Sequence, residues 1–333
     1  MQSPKVSVII VNFNGKSLVE ECLKSLFKVD YDNFEVILVD NNSNDETINF
    51  ITKNYPSIIL IKLDSNKGFA EPNNIGSKNA KGEYLLFLNN DTIVTPNFIS
   101  EMIKVIENNQ EIGICQSLLL KSDDTVDSSG DFIDILGVVF SSKKIPNKVQ
   151  KISSAKGASL LIRKQLFDDL GGFDKKFFAT FEDVDLGWRA WILGYTVVIV
   201  PKSIVYHLGG QTINQLKSEI AFHGFKNQIS MKITNFETKL VLKKLLIFFI
   251  KYGFRELKIW IDYSFTGKTT LTPTKYEEKI AKKPNFVTIL KSLFWVMTNS
   301  KYLIQKHHEI NSKRVLETKK LEELGVIFNN ILD

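Results

Sequence analysis

Tyr84–Val94, YLLFLNNDTIV, is the stretch on which the fold turns. Its apolar half, Tyr84–Leu88, reads as a buried strand that empties into Asn89, Asn90 and Asp91. Open α/β sheets bind their ligands beyond the carboxyl ends of their strands. A carboxylate placed there among amide and hydroxyl oxygens suits a hard divalent cation such as Mg²⁺ or Mn²⁺ holding phosphate. The same residues also suit a polar turn that leads into a helix. The rest of the chain decides between the two.

Upstream, KVSVIIV (Lys5–Val11) is continuous and β-branched, as a parallel strand covered on both faces requires. The polar turn Asn12-Phe13-Asn14-Gly15 follows, and Ser17 is expected to cap a helix to Phe27 with Leu18, Cys22, Leu23 and Leu26 on one face. A second strand, Phe34–Val39, closes on Asp40-Asn41-Asn42-Ser43-Asn44-Asp45. A third, Ile58–Leu63, precedes Asn66-Lys67-Gly68-Phe69-Ala70 and a helix to about Asn79. Strand and helix alternate repeatedly, each strand delivering a polar cluster to the same edge, which predicts an α/β, doubly wound, mostly parallel sheet flanked by helices. No G-x-G-x-x-G follows the first strand, so a dinucleotide-binding dehydrogenase is disfavoured.

Downstream, a helix is expected from Pro96 to about Asn108 and a strand over Ile112–Leu120. Residues 121–146 read as a loop or hairpin over the site. The small residues of Lys156-Gly157-Ala158 permit close backbone approach, to a substrate or to a neighbouring strand. Gly171-Gly172-Phe173-Asp174 then precedes FEDVDLGWRAWILGY (Phe181–Tyr195), where Glu182, Asp183 and Asp185 crowd a helix start that favours negative charge. Asp185 can pair with Arg189 one turn on, and Trp188 and Trp191 can pack. Adjacent carboxylates such as Glu182 and Asp183 raise one another's pKa and can prepare a general base. A strand over Thr196–Val200 ends at Pro201, and His207 follows in a turn, relevant to chemistry only where it meets Asp91.

With 333 residues, 44% of them hydrophobic, the chain can bury a large core. Cys22 and Cys115 are far apart among apolar residues, as reduced core thiols are. No basic-then-apolar leader opens the sequence, so a cytoplasmic protein is expected. The net charge of +6 is uneven: residues 211–333 carry 21 Lys and Arg against 11 Asp and Glu, and residues 1–210 carry 22 against 26. A boundary near residue 210 is therefore expected, with a basic, mainly helical extension over 211–333. In Lys239–Arg255, a helix would gather Lys239, Lys243, Lys244, Lys251 and Arg255 on one face and Leu246, Ile247, Phe249 and Ile250 elsewhere. Such a helix can lie on an anionic membrane surface, pack on the core or form a homo-oligomer; Phe286–Met297 is a second candidate. No nucleic-acid motif accompanies the basic surplus.

Asp40, Asn66-x-Gly68-Phe69-Ala70 with Asn74 and Gly76, LNNDT, GGFD, EDVDLGWR and His207 occur in one order and spacing. Together they resemble family 2 glycosyltransferases of the GT-A fold, in particular the rhamnosyl- and galactofuranosyltransferase branch, over roughly residues 4–230. The resemblance implies that Asn12 and Asp40 contact the nucleotide and that Gly68, Asn74 and Asn90 line the nucleotide-sugar cleft. It implies that Asp91 and His207 hold Mg²⁺ or Mn²⁺ on the diphosphate, and that Asp183 is the catalytic base beside Glu182. It further implies a UDP- or dTDP-sugar donor, a saccharide or lipid-linked saccharide acceptor of the cell envelope, inversion at the anomeric carbon, and a peripheral position at the inner membrane face. The triplet departs from many relatives in having a single carboxylate, and Gln211 stands where they often have Ser. A catalytically silent nucleotide-sugar-binding scaffold and a nucleotidyltransferase are the alternatives.

Overall fold

Four N-terminal apolar segments become parallel strands: β1 (Val6–Asn12), β2 (Phe34–Asp40), β3 (Ile59–Lys62) and β4 (Tyr84–Leu88), in the order β3-β2-β1-β4. Three helices connect them, α1 (Lys16–Leu26), α2 (Thr47–Asn54) and α3 (Ala70–Lys78). The computed structural model describes residues 3–209, 217–250 and 286–328. Every residue of β4 is buried, as its continuous apolar run requires. The start of α1 differs from the expected Ser17 cap. Gly15 occupies the cap position without a side-chain bond, and the free Lys16 N–H donates to Asp45 Oδ2 at 3.0 Å. A distant loop thus supplies the acceptor that a local hydroxyl was expected to give.

Beyond β4 the sheet continues through β5 (Thr92–Val94), α4 (Phe98–Glu107) and β6 (Ile112–Leu120). The hairpin region divides into β7 (Val126–Ser128), β8 (Asp131–Asp134) and β9 (Val139–Ser141), followed by β10 (Gln150–Lys151) and β11 (Ser159–Arg163). α5 (Lys164–Asp169), α6 (Glu182–Ile192) and β12 (Thr196–His207) complete this part of the chain. The main sheet runs β10-β12-β6-β11-β4-β1-β2-β3, mostly parallel, with β11 antiparallel between β4 and β6. β12 does not stop before Pro201. A register shift between Val200 and Ile204 absorbs the proline, and the strand resumes to His207. Two hydrophobic clusters cover the sheet faces, one around Phe87, Phe167 and Phe173, the other around Leu86, Phe98 and Met102.

The C-terminal third contributes α7 (Lys217–Asn235), α8 (238–250), α9 (Phe286–Thr298), α10 (Ser300–Ser312), α11 (Thr318–Glu323) and the short strand β13 (Ile327–Phe328). β13 pairs with β8, whose other neighbour is β9. The end of the described chain is therefore stitched into the hairpin region. Packing splits the expected lysine face of α8, leaving Lys239 and Lys243 exposed. Lys244 is buried against Phe236, while Leu242, Leu246 and Ile250 are exposed. Val241, Lys244 and Phe248 fall on the inward face because that face meets the core. Lys251, Arg255 and Gln211 lie outside the described residues.

Candidate active site

β5 and β12 pair antiparallel with Thr92 opposite His207. That register carries a histidine more than a hundred residues downstream of Asp91 to its side. His207 Nε2 lies 3.3 Å from Asp91 Oδ1 and 3.4 Å from Asn89 Nδ2. The other ring nitrogen, Nδ1, lies 2.8 Å from Asp127 Oδ2. Asp127 belongs to β7 and was not among the residues expected from sequence. Burial opposes a charge on His207, but the bonds to Asp127 and Asp91 outweigh it and bring its pKa up to about 9.

These residues form one wall of a cavity of about 610 Å³, a size suited to a small-molecule ligand. Gly68, Asn90, Asp91, Glu182, Asp183 and His207 all line it. Asn12, Asp40 and Asn74 are not among its lining residues. Asn12 Oδ1 accepts from Asn90 Nδ2 at 2.7 Å, and its own amide donates to Ser43 and Thr47. Asp40 Oδ2 accepts from the Ser43 N–H at 2.9 Å, and its buried Oδ1 has no hydrogen-bond partner among the described residues. Asn74 spends both ends of its amide on the Phe173 backbone, at 2.8 and 2.9 Å, and so ties Gly171–Asp174 to α3.

Gly68 has φ +78°, and a Cβ there would stand 2.0 Å from the Phe178 carbonyl oxygen. Only glycine fits this crossing, where the loop before α3 meets the loop before α6. Asn41, also on the cavity wall, braces the crossing by donating to Asn66 Oδ1 and the Gly68 carbonyl, both at 2.8 Å.

The start of α6 also lines the cavity. Thr180 and Phe181 both adopt left-handed φ, 68° and 67°, a conformation that costs about 1–2 kcal/mol per non-glycine residue. The buried Asn227 of α7 donates to the carbonyls of Ala179 and Thr180 at 3.0 and 2.8 Å, which offsets part of that strain. Asp183 Oδ2 accepts from the Gly157 N–H at 3.0 Å and Oδ1 from the Val184 N–H at 2.8 Å. Burial raises the Asp183 pKa, and Lys156 opposes the rise. Lys156 itself pairs with the buried Asp131 at 2.8 Å. At Glu182 burial first, then the Asp183 charge, outweigh its own backbone N–H and Lys156 and push it up to about 8. Asp185 is not in the cavity. It pairs with Arg189 at 2.7 Å, both 1% exposed, and accepts from Asn235 of α7 at 3.0 Å.

The residues that sequence reading missed are Asp127, Lys156 as a charged group, and Asn227. Lys156 stood in a segment already marked by its small neighbours. Asp127 and Asn227 gave no local signal, since their roles arise from strand pairing and helix docking.

The donor set at Asp91 and His207 fits a divalent cation that completes its shell with phosphate and water. The described residues contain no group of three or more His, Cys, Asp or Glu disposed to hold a metal by themselves.

The sequence model of glycosyl transferase family 2 matches residues 7–171. The O-antigen biosynthesis protein RfbC of Myxococcus xanthus is 30% identical over 221 residues, 62% of this chain and 17% of that protein. The poly-beta-1,6-N-acetyl-D-glucosamine synthase of Staphylococcus epidermidis is 24% identical over 222 residues, 63% of this chain and 52% of its own. The chain thus spans about half or less of these two curated relatives. Among solved structures, GalNAc-T7 with UDP, GalNAc and Mn²⁺ superposes with a TM-score of 0.58 at 17% identity, over 91% of this chain and 58% of that one. The mannosyltransferase PcManGT of Pyrobaculum calidifontis, in complex with GDP-Man and Mn²⁺, gives 0.55 at 14% identity, over 96% and 87%. These two share the GT-A fold with this chain. By sequence, residues 7–171 of the chain belong to glycosyltransferase family 2.

Proposed function

We propose that the protein is a metal-dependent, inverting glycosyltransferase that moves a sugar from a UDP- or dTDP-linked donor to a saccharide or lipid-linked saccharide acceptor. The observation that carries this reading is the shared cavity: Asp91 and His207 converge in it, and Asp183, pinned by two backbone amides, lines it too. Mn²⁺ in the GalNAc-T7 and PcManGT structures, with UDP and GDP-Man, supports a cation and a nucleotide-sugar donor of this general kind.

Asp91 and His207 would hold the cation, which when bound neutralises the departing nucleoside diphosphate. Asp183 takes the proton of the acceptor hydroxyl while that oxygen attacks the anomeric carbon. The carbon–oxygen bond to the diphosphate breaks, and a single displacement inverts the centre. Glu182, neutral below about pH 8, keeps a second negative charge away from the base.

The test is nucleoside diphosphate release from a panel of UDP-, dTDP- and GDP-sugars with Mn²⁺ or Mg²⁺, beside Asp91→Ala and Asp183→Asn. We expect one uridine or thymidine donor to be hydrolysed slowly, with no release by Asp91→Ala and a fall of about 10²–10⁴-fold in Asp183→Asn. Donor binding without turnover in the presence of acceptors would favour the silent scaffold. Pyrophosphate from a nucleoside triphosphate would favour a nucleotidyltransferase, and product with the donor's anomeric configuration would exclude inversion.

We also propose that α8 and α9 rest on an anionic membrane surface. Leu242, Leu246 and Ile250 recur at four-residue spacing and are exposed, as are Val287, Leu290, Phe294 and Met297. Neither segment, 238–250 or 286–298, contains Asp or Glu, while exposed Lys239, Lys243 and Lys291 supply positive charge. Apolar side chains edged by lysine suit the interface of an anionic bilayer. No helix among the described residues is long and apolar enough to cross one. Flotation with phosphatidylglycerol vesicles at low salt should carry the protein, and the Leu246→Glu/Phe294→Glu double variant should stay behind. Equal recovery of both proteins in the bottom fraction would refute the proposal.

A further inference from the structure

The sequence Asn89-Asn90-Asp91 leaves the metal wall one carboxylate short of the two that a divalent charge invites. Asn90 cannot make up the deficit, because its amide is turned to Asn12 Oδ1 at 2.7 Å. The missing charge arrives from another strand. Leu120, at the end of β6, pairs with Tyr206 of β12 on one side and with Val126 of β7 on the other. The next residues along those two strands are His207 and Asp127. One strand end therefore sets both side chains at the rim of the same cavity, with Asp127 Oδ2 2.8 Å from His207 Nδ1.

We propose that Asp127 is the positioning residue for His207, replacing through the imidazole the carboxylate that the triplet lacks. This rests on the divalent-cation reading of Asp91 and His207. Asp127 accepts the Nδ1–H proton, which turns Nε2 toward Asp91 Oδ1, 3.3 Å away, so that a cation taking the place of the Nε2 proton would meet the lone pair of that nitrogen. A carboxylate behind a ligating histidine holds the ring's orientation and raises its donor strength. Lys143 steadies Asp127 in turn, through a bond to its backbone carbonyl and an ion pair at 3.9 Å to Oδ1. The pair of carboxylates then totals two negative charges about a dication, one in direct contact and one a ring's width behind.

Mn²⁺ affinity, read from the electron paramagnetic resonance of the free ion in the presence of UDP or dTDP, tests this without turnover. We expect Asp127→Ala to weaken Mn²⁺ binding about 10–100-fold. Asp127→Asn, whose amide oxygen can still accept the Nδ1–H proton, should weaken it less. Because Asp127 acts through the ring, Asp127→Ala should add little to the loss already caused by His207→Ala. Unchanged affinity in Asp127→Ala, or a loss that adds in full to that of His207→Ala, would overturn the proposal. Nucleotide binding measured calorimetrically on the same proteins separates the readings. Wild-type protein that binds nucleotide but no Mn²⁺ refutes the metal site and this inference together, while the nucleotide reading stands.

Discussion

Asp183 and Glu182 are neighbours in sequence and opposites in environment. Both are buried; Asp183 has two backbone N–H donors and the Lys156 charge as its main support, whereas at Glu182 the Asp183 charge outweighs Lys156. A rate profile should therefore show an acid limb as Asp183 protonates, lying above the ordinary aspartate value of about 3.9 because burial raises it. A second inflection is expected near pH 8, where Glu182 loses its proton and places a new charge beside the base. Glu182→Gln mimics the neutral form at every pH, so it should abolish the upper inflection and retain the acid limb. An upper inflection that survives this substitution would assign it to another group. The crowded carboxylates were legible in EDVDLGWR, as was the Asp185–Arg189 pair, because both follow from helical spacing. Which carboxylate is supported and which is isolated was not, since Gly157 and Lys156 reach the site from elsewhere in the chain.

At the scale of elements, the loop after α5 is held from both directions. Asn74 of α3 pins the Phe173 backbone, and α10 reaches Asp174 through Tyr302 Oη at 2.6 Å and Lys306 Nζ at 3.3 Å. Burial raises the Asp174 carboxyl, but Lys306 and Tyr302 outweigh it and leave it below the usual range. A depressed folded pKa stabilises the protein above the unfolded value of about 3.9 and ceases to do so as pH falls through the folded one. Asp174→Ala should lower stability at pH 7 by about 3–5 kcal/mol, the order seen when one partner of a buried pair is removed. In urea titrations its deficit should shrink as pH drops below about 4. A constant deficit across that range would mean that packing, not charge, is what the substitution removes. β1–β4, β6 and the helices α1, α3 and α4 were readable to within about two residues from apolar runs. The continuation of β12 past Pro201 was not, because the bulge that accommodates proline exists only against β6.

Across the whole molecule, α7 is the link between the basic third and the site. It contributes Asn227 to the strained turn before α6, Asn235 to Asp185, and a fully buried lysine, Lys232. Lys232 Nζ lies 4.0 Å from the Phe248 ring centroid and has no hydrogen-bond partner among the described residues. Burial pushes its pKa well below that of a free lysine. The unfolded chain then binds the proton more readily than the folded one, so the wild type loses stability as pH falls from about 10 toward neutrality. Lys232→Met keeps the volume and removes that loss. Its melting temperature should exceed the wild type's at pH 7 by the equivalent of about 1–2 kcal/mol, and the gain should narrow at pH 10. A gain that is absent at pH 7 would show that Lys232 is satisfied in a way its surroundings do not reveal.

The sequence by itself determined the alternation of strand and helix, the family, the edge of the sheet that carries chemistry, and the candidates Asp91, Asp183 and His207. These follow from local periodicity, from residue chemistry at strand ends and from the order of short motifs. Only the tertiary structure decided that Asn12 holds Asn90 and Asn74 holds Phe173, that Asp127 and Lys156 join the cavity, and that α8 turns leucines outward. Each of these depends on strand register or helix rotation against a distant partner. Such choices are settled by the burial of whole faces, to which no single local segment holds the key.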